Sequence, residues 1–144
     1  TKRIRVERVR DFGGCWLGLQ VLDKLGLVAF IDRLIPHGRE DIPWSTMAVA
    51  LVLMRLCEPS SELRVAEHLY DRSPLGDLLG IPRDKVNDDR LYRALDSILP
   101  YKAELEKHLK ERGIVQSGDV YAITCGEPMG SPGGTNMLKI CRVA

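Results

Sequence analysis

"EDIPWSTMAVALVLMRLCEP", residues 40–59, decides how this chain folds. From Met47 to Met54 every residue is apolar, and Arg55 ends the run. A stretch that short cannot cross a bilayer, which takes roughly 20 residues. A helix apolar on every side must instead be buried on every side, so it reads as the centre of a helical body. Asp41 reads as its cap, with Pro43 in the first turn and Pro59 beyond its end.

Working outward, the same punctuation recurs. Upstream, after Gly13 and Gly14, residues Trp16, Leu17, Leu19, Leu22 and Leu25 recur near helical spacing, and Gly26 suits the left-handed position that closes a helix. A second short helix carries Val28, Ile31, Leu34 and Ile35 and stops at Pro36 and Gly38. Before both, "RIRVERVR" alternates charged and apolar residues, the period of a short strand or extended arm. Downstream, Ser60 is expected to cap a helix with Leu63, Ala66, Leu69 and Tyr70 on one face. Ser73 and Pro74 open a short helix with Leu75, Leu78 and Leu79, closed by Gly80. Asn87 or Asp88 caps the next, with Leu91, Leu95, Ile98 and Leu99 inward. Pro100 starts a charged helix, "YKAELEKHLKER", whose Glu and Lys residues can pair four apart, and Gly113 ends it. Trp16 and Trp44 are assigned to the core.

After Gly113 the pattern changes. Val120 to Cys125 and Met137 to Val143 are strand-like runs joined by "GEPMGSPGGTN", residues 126–136, which reads as a β-hairpin. An isolated ribbon is marginal in water, so Tyr121, Ile123, Leu138 and Ile140 are expected to form a face packed on helices. The alternatives are pairing with the N-terminal strand, or a homo-oligomer formed through the exposed hairpin edge. The fold class is therefore mainly α: a multi-helix bundle with a helix-turn-helix-like segment, a short N-terminal strand and a C-terminal β-hairpin.

Composition narrows the function. The 144 residues, 44% hydrophobic and 28% charged, suit one modest core with an appendage. With 21 basic and 20 acidic residues the formal net charge is +1, so no strong overall field draws the molecule to nucleic acid or membrane. The first ten residues, "TKRIRVERVR", are different: five are basic and only Glu7 is acidic, which makes Arg3 and Arg5 candidates for contact with a polyanion. Cys15, Cys57, Cys125 and Cys141 form no CxxC pair and lack histidines at zinc-finger spacing. Neither a metal site nor a disulfide framework is indicated, and reduced thiols in the cytoplasm are expected. His37, His68 and His108 lie far apart and show no ligand pairing, so no metal and no cofactor is assigned.

Segments 60–72, 74–79 and 88–99 have the lengths of a helix-turn-helix unit. The third would be the reading helix, with Arg90 and Arg93 near its start and Arg83 and Lys85 in the approach loop. A planar guanidinium matches a phosphate or the edge of guanine bidentately, which is why arginine in this place suits DNA. The acids Asp88, Asp89 and Asp96 share the segment and weaken the signal.

The pieces "LCEPSSEL", "AEHLY" and "VNDDRLYRALD" carry a resemblance. Over about residues 2–112 the chain is similar to the N-terminal region of bacterial insertion-sequence transposases of the IS4-like type, close to the IS1634 group. The resemblance implies a helical part that helps recognise transposon ends, and hence DNA as partner. In that family a catalytic domain follows and uses three acidic residues with two divalent metals. Two-metal chemistry needs several carboxylates converging on the ions. The segment after residue 112 offers only Asp119 and Glu127, so no catalytic residue is assigned and the chain alone is expected not to be an enzyme.

"GDVYAITCGEPMGSPGGTNMLKICRV", residues 118–143, is instead similar to the last hairpin of pyruvate kinases. By that resemblance Gly130, Ser131, Gly133, Gly134, Thr135 and Asn136 would line a site for a phosphorylated effector. Open backbone N–H groups at the glycines and hydroxyl donors beside them make an anion nest plausible. The order is not that of a P-loop, since Lys139 falls in the following strand. Two domains follow: residues 1–112 as a helical transposase-like part, and 113–144 as a pyruvate-kinase-like appendage. The expected function is DNA binding by a truncated transposase N-terminal domain. The alternative is a pyruvate-kinase-derived fragment whose loop binds an effector or mediates assembly. No membrane association is expected.

Overall fold

The computed structural model of the chain describes residues 9–125 and 137–144, with backbone only at 123–125 and 137–139. It is mainly helical and carries one antiparallel hairpin. The expected strand around Arg3 and Arg5 lies outside the described residues, as does the 126–136 loop. Two compact units divide the chain, Thr1–Ala94 and Leu95–Ala144.

In the first unit, α1 (Phe12–Lys24) and α2 (Leu27–Leu34) meet at a bend of 72°. Gly26 makes the bend with φ of 67°, a left-handed conformation that side chains resist, and its N–H donates to Asp23 O. Gly13 and Gly14, expected to precede α1, are inside it. Among the described residues no single helix is long and apolar enough to cross a membrane.

Helix α3 (Trp44–Cys57) is the expected centre. Met47 and Leu53 have 0% exposure, and Ala48, Val49, Ala50, Leu51 and Met54 are buried with them. A β-carbon on Gly18 of α1 would stand 3.0 Å from Leu53 Cδ2 and 3.2 Å from Leu56 Cδ2, so the missing side chain is what lets α1 lie this close. Asp41 does not cap α3. Pro43 occupies the cap position without a side-chain bond, and the tether is Ser45, whose hydroxyl donates to Asp32 Oδ1 at 2.7 Å. His37 Nε2 meets the same oxygen at 3.0 Å, and these two bonds, Ser45 first, hold the Asp32 carboxyl below its ordinary range.

The expected helix from Ser60 is shorter and irregular. Ser61, one residue later, is the cap and accepts from Arg64 N–H. An α-helical turn, α4 (Glu62–Arg64), loosens into a π turn (Val65–Leu69) and tightens into a 3-10 turn (Tyr70–Arg72). The wider turn rotates the inward face, so Val65, Ala66, Leu69 and Tyr70 are buried while Leu63, expected inside, is exposed. Glu62 is buried against Arg55 of α3 in an ion pair. Tyr70 reaches across to donate to Ile81 O at 2.6 Å, and burial pushes its hydroxyl up to about 12. Helix α5 (Leu75–Leu79) ends at Gly80, φ 67°, as its sequence required. Helix α6 (Asp88–Ile98) is capped by Asn87, whose Oδ1 accepts from Arg90 N–H at 2.8 Å. Leu91 and Ala94 are buried; Leu95 and Leu99, expected inward, are exposed.

The second unit holds the end of α6, a 3-10 turn containing Pro100, α7 (Lys102–Glu111) and the hairpin. Gly113 terminates α7 as expected. Its N–H donates to Lys110 O and that of Ile114 to Leu109 O, the paired bonds of a Schellman motif. Strands β1 (Val120–Cys125) and β2 (Met137–Arg142) pair antiparallel, with Tyr121 opposite Cys141 and Ala122 opposite Ile140. Tyr121 and Ile140 thus belong to opposite faces, which splits the single apolar face expected of the ribbon. The Tyr121 side bears on α7: its hydroxyl donates to Glu106 Oε2 at 3.0 Å, and Lys102 Nζ lies 5.2 Å from its ring centroid. Ile140 is 63% exposed. At the base of the ribbon Val143 is buried and exchanges backbone bonds with Gly118 and Asp119, while Ala144 N–H donates to Glu106 Oε1 at 2.9 Å.

Two measurements test this account. Leu53→Ala should lower unfolding free energy by about 2–5 kcal/mol in urea titration followed by helical circular dichroism, because it opens a cavity in a filled core. Glu106, held below its ordinary 4.5 by Ala144 N–H first and by Tyr121 second, favours the folded hairpin above that value and loses the contribution as pH falls. Protection of the ribbon amides, taken relative to their intrinsic exchange rate at each pH, should therefore fall below about pH 4.5, and Glu106→Gln should flatten that acid limb.

Candidate nucleic-acid interface

The residues proposed to meet DNA begin with a loop and a helix start. Asn87 satisfies one of the open N–H groups of α6, and Asp88 and Asp89 fill its first turn. Carboxylates at that end suit the positive pole of the helix dipole. They also put negative charge where an anion would have to approach, so this helix start is not by itself an anion site.

Arg83, in the 3-10 turn Arg83–Lys85, is engaged on three sides. Nε pairs with Asp71 Oδ1 at 2.9 Å, one terminal nitrogen donates to Val86 O at 2.9 Å, and the other to Ala66 O at 2.6 Å. Ala66 lies in the π turn, where the helical bonding is irregular and its carbonyl takes an outside donor. Arg83 is therefore a strut between the π turn and the approach loop. Lys85 Nζ donates to Asp41 Oδ2 at 2.6 Å; the contact holds the carboxyl below its ordinary range and the ammonium above its own.

On α6, Arg93 Nε pairs with Asp89 Oδ2 at 3.1 Å, one turn back, and both side chains are mostly exposed. Arg90 makes a long 3.5 Å contact from a terminal nitrogen to Lys85 O. The structure thus brings Arg83, Lys85 and Arg90 to one loop and helix start, with Arg93 a turn further on, and sets acids beside three of them. Arg3, Arg5 and the loop residues Gly130, Ser131, Gly133, Gly134, Thr135 and Asn136 lie outside the described residues. Among the described residues, no group of three or more His, Cys, Asp or Glu side chains could hold a metal ion.

Part of this charge pairing was readable. Asp89 and Arg93 stand four apart on a helix, the spacing of a surface pair. Asp41 and Lys85 are 44 residues apart, and only the fold joins them. Sequence reasoning also missed an apolar stripe. Trp16, assigned to the core, is 45% exposed, and Phe12, Leu17 and Val21 of α1 are exposed with it. Trp44 is half-buried.

A family model described as "Domain of unknown function (DUF4277)" matches residues 16–111, two thirds of the chain. A second, described as "Pyruvate kinase, alpha/beta domain", matches residues 86–141. The two matches share residues 86–111, which contain α6 and α7. No curated protein and no solved structure matches the chain.

Arg83→Ala should lower stability by about 1–3 kcal/mol in chemical denaturation, since it strips donors from two carbonyls and a partner from Asp71. Arg83→Lys should not restore it, because a point-like ammonium cannot reproduce the three-way planar fork.

Proposed function

We propose that this chain, which belongs through residues 16–111 to the family described as a domain of unknown function (DUF4277), is a helical DNA-recognition module of the insertion-sequence transposase kind. It binds duplex DNA, at transposon ends in the resembled family, and performs no cleavage itself. The observation that carries the reading is the exposed side of α6. Leu91 and Ala94 face inward, while Arg93 is exposed and Arg90 half-buried near a start capped by Asn87, behind the short helix α5 and its Gly80 turn. This succession suits a helix entered into a major groove. The acids around it make the contact conditional: DNA must compete with Asp89 for Arg93 and with Asp41 for Lys85.

A second reading has its own support in the 86–141 match. On it, the chain is a fragment of pyruvate-kinase type whose hairpin loop takes a phosphorylated effector.

Titration of labelled duplex at several salt concentrations separates the two. A DNA reader shows affinity that falls steeply with salt, and Arg90→Ala with Arg93→Ala lowers the slope of log K against log salt by about 2. Asp89→Asn should tighten binding several-fold, because it removes a negative charge and Arg93's competitor. Stabilisation by a sugar bisphosphate with no DNA affinity would reject the first reading in favour of the second.

A further inference from the structure

Cys15 and Cys57 stand 42 positions apart in sequence, yet Cys57 Sγ lies against the turn of α1 that carries Cys15, between Gly14 and Gly18. Cys15 is buried in the first turns of α1, and Cys57 is the exposed last residue of α3. The glycines of α1 allow the approach: a β-carbon on Gly14 would lie 3.6 Å from Cys57 Sγ, and one on Gly18 4.0 Å. Both thiols are free, and both belong to the first unit.

We propose that Cys15 and Cys57 are a reversible redox pair that closes to an intramolecular disulfide, fastening α1 to the end of α3, when a low-molecular-weight disulfide is present as oxidant. Exchange needs an attacking thiolate that solvent-borne disulfide can reach, which exposed Cys57 supplies, and a second thiol close behind it, which Cys15 supplies. Cys57 loses its proton to water, and its thiolate attacks one sulfur of the small disulfide. A mixed disulfide forms on Cys57 and one small thiolate leaves. Cys15 then gives up its proton and attacks Cys57 Sγ, expelling the second small thiolate. Two protein thiols are oxidised by two electrons, and one small disulfide is reduced to two thiols.

The order of attack follows from the surroundings. Burial first, and then the charge and hydrogen bond of Cys57, push the Cys15 thiol up to about 12, so in the reduced protein it is inert. Capping Cys57 removes its charge and its hydrogen bond from Cys15, leaving burial as the main restraint. Closure brings the two sulfurs to a bond of about 2.05 Å. The linked segment is long, so the bond restricts the unfolded chain most.

The test is equilibration of the full chain in oxidised and reduced glutathione, followed by mass spectrometry and peptide mapping. The expected result is loss of two hydrogens, a Cys15–Cys57 cross-linked peptide, reversal by dithiothreitol, and a thermal midpoint raised by about 5 °C or more. Cys57→Ser, at an exposed position, should abolish all four, while Cys125→Ser with Cys141→Ser should leave them intact. Cys15→Ala should stop the reaction at a glutathione adduct on Cys57. Any of three results on the unmodified chain overturns the proposal: an adduct on Cys57 that persists with Cys15 still alkylatable, a link to Cys125, Cys141 or a second chain, or no oxidation in excess oxidised glutathione.

Discussion

The first unit depends on one constraint: α3 has no polar side to give to water. Its apolar residues occur at every helical angle, so neighbours must surround it, and α1, α2, α4 and α5 are placed by that need. Close-packed interiors allow little slack, which is why the glycine at position 18 matters as much as the leucines it meets. Among the described residues Glu62 is the carboxylate that reaches this core, and it does so paired with Arg55.

The same economy governs the surface proposed to meet DNA. Three of its four described cations already have a carboxylate beside them, and Arg83 is committed to backbone carbonyls as well. Exposed ion pairs are weak, so Lys85 and Arg93 remain exchangeable, whereas a cation bonded to two carbonyls and a carboxylate at once is not. Arg90 and Arg93 therefore carry the DNA hypothesis, and Arg83 carries the architecture that presents them.

How much of this was legible in the sequence differs by kind of signal. Local chemistry reads well: Gly26, Gly80 and Gly113 close helices in left-handed conformations, and Asn87 caps α6. Positions set by long-range packing do not. Asp41 carries every mark of a cap, but Lys85 claims its carboxylate from 44 residues away. Leu63 has the right helical spacing for the core, and a π turn immediately after it rotates the face. Trp16 is apolar enough to be buried, yet among the described residues α1 buries the side that carries Cys15, Gly18 and Leu22, and Trp16 falls outside it. Strand register is the same kind of problem, since pairing decides whether Tyr121 and Ile140 share a face. As for the candidate site, the residue types, their grouping and the Asp89–Arg93 spacing were visible, but the longer-range engagements of Arg83 and Lys85 were not.

The hairpin's anchorage has a mechanical consequence. Its base is clamped to α7 through Val143, Ala144 and Glu106, with Lys110 bonding Ser117 and the Ala144 carbonyl at the same corner. Six residues of strand project from that clamp, roughly 20 Å at about 3.4 Å per residue. A ribbon held at its root is a cantilever. Any load on its far end arrives as torque at Glu106 and Tyr121, so α7 shares in bearing whatever pulls on the strands.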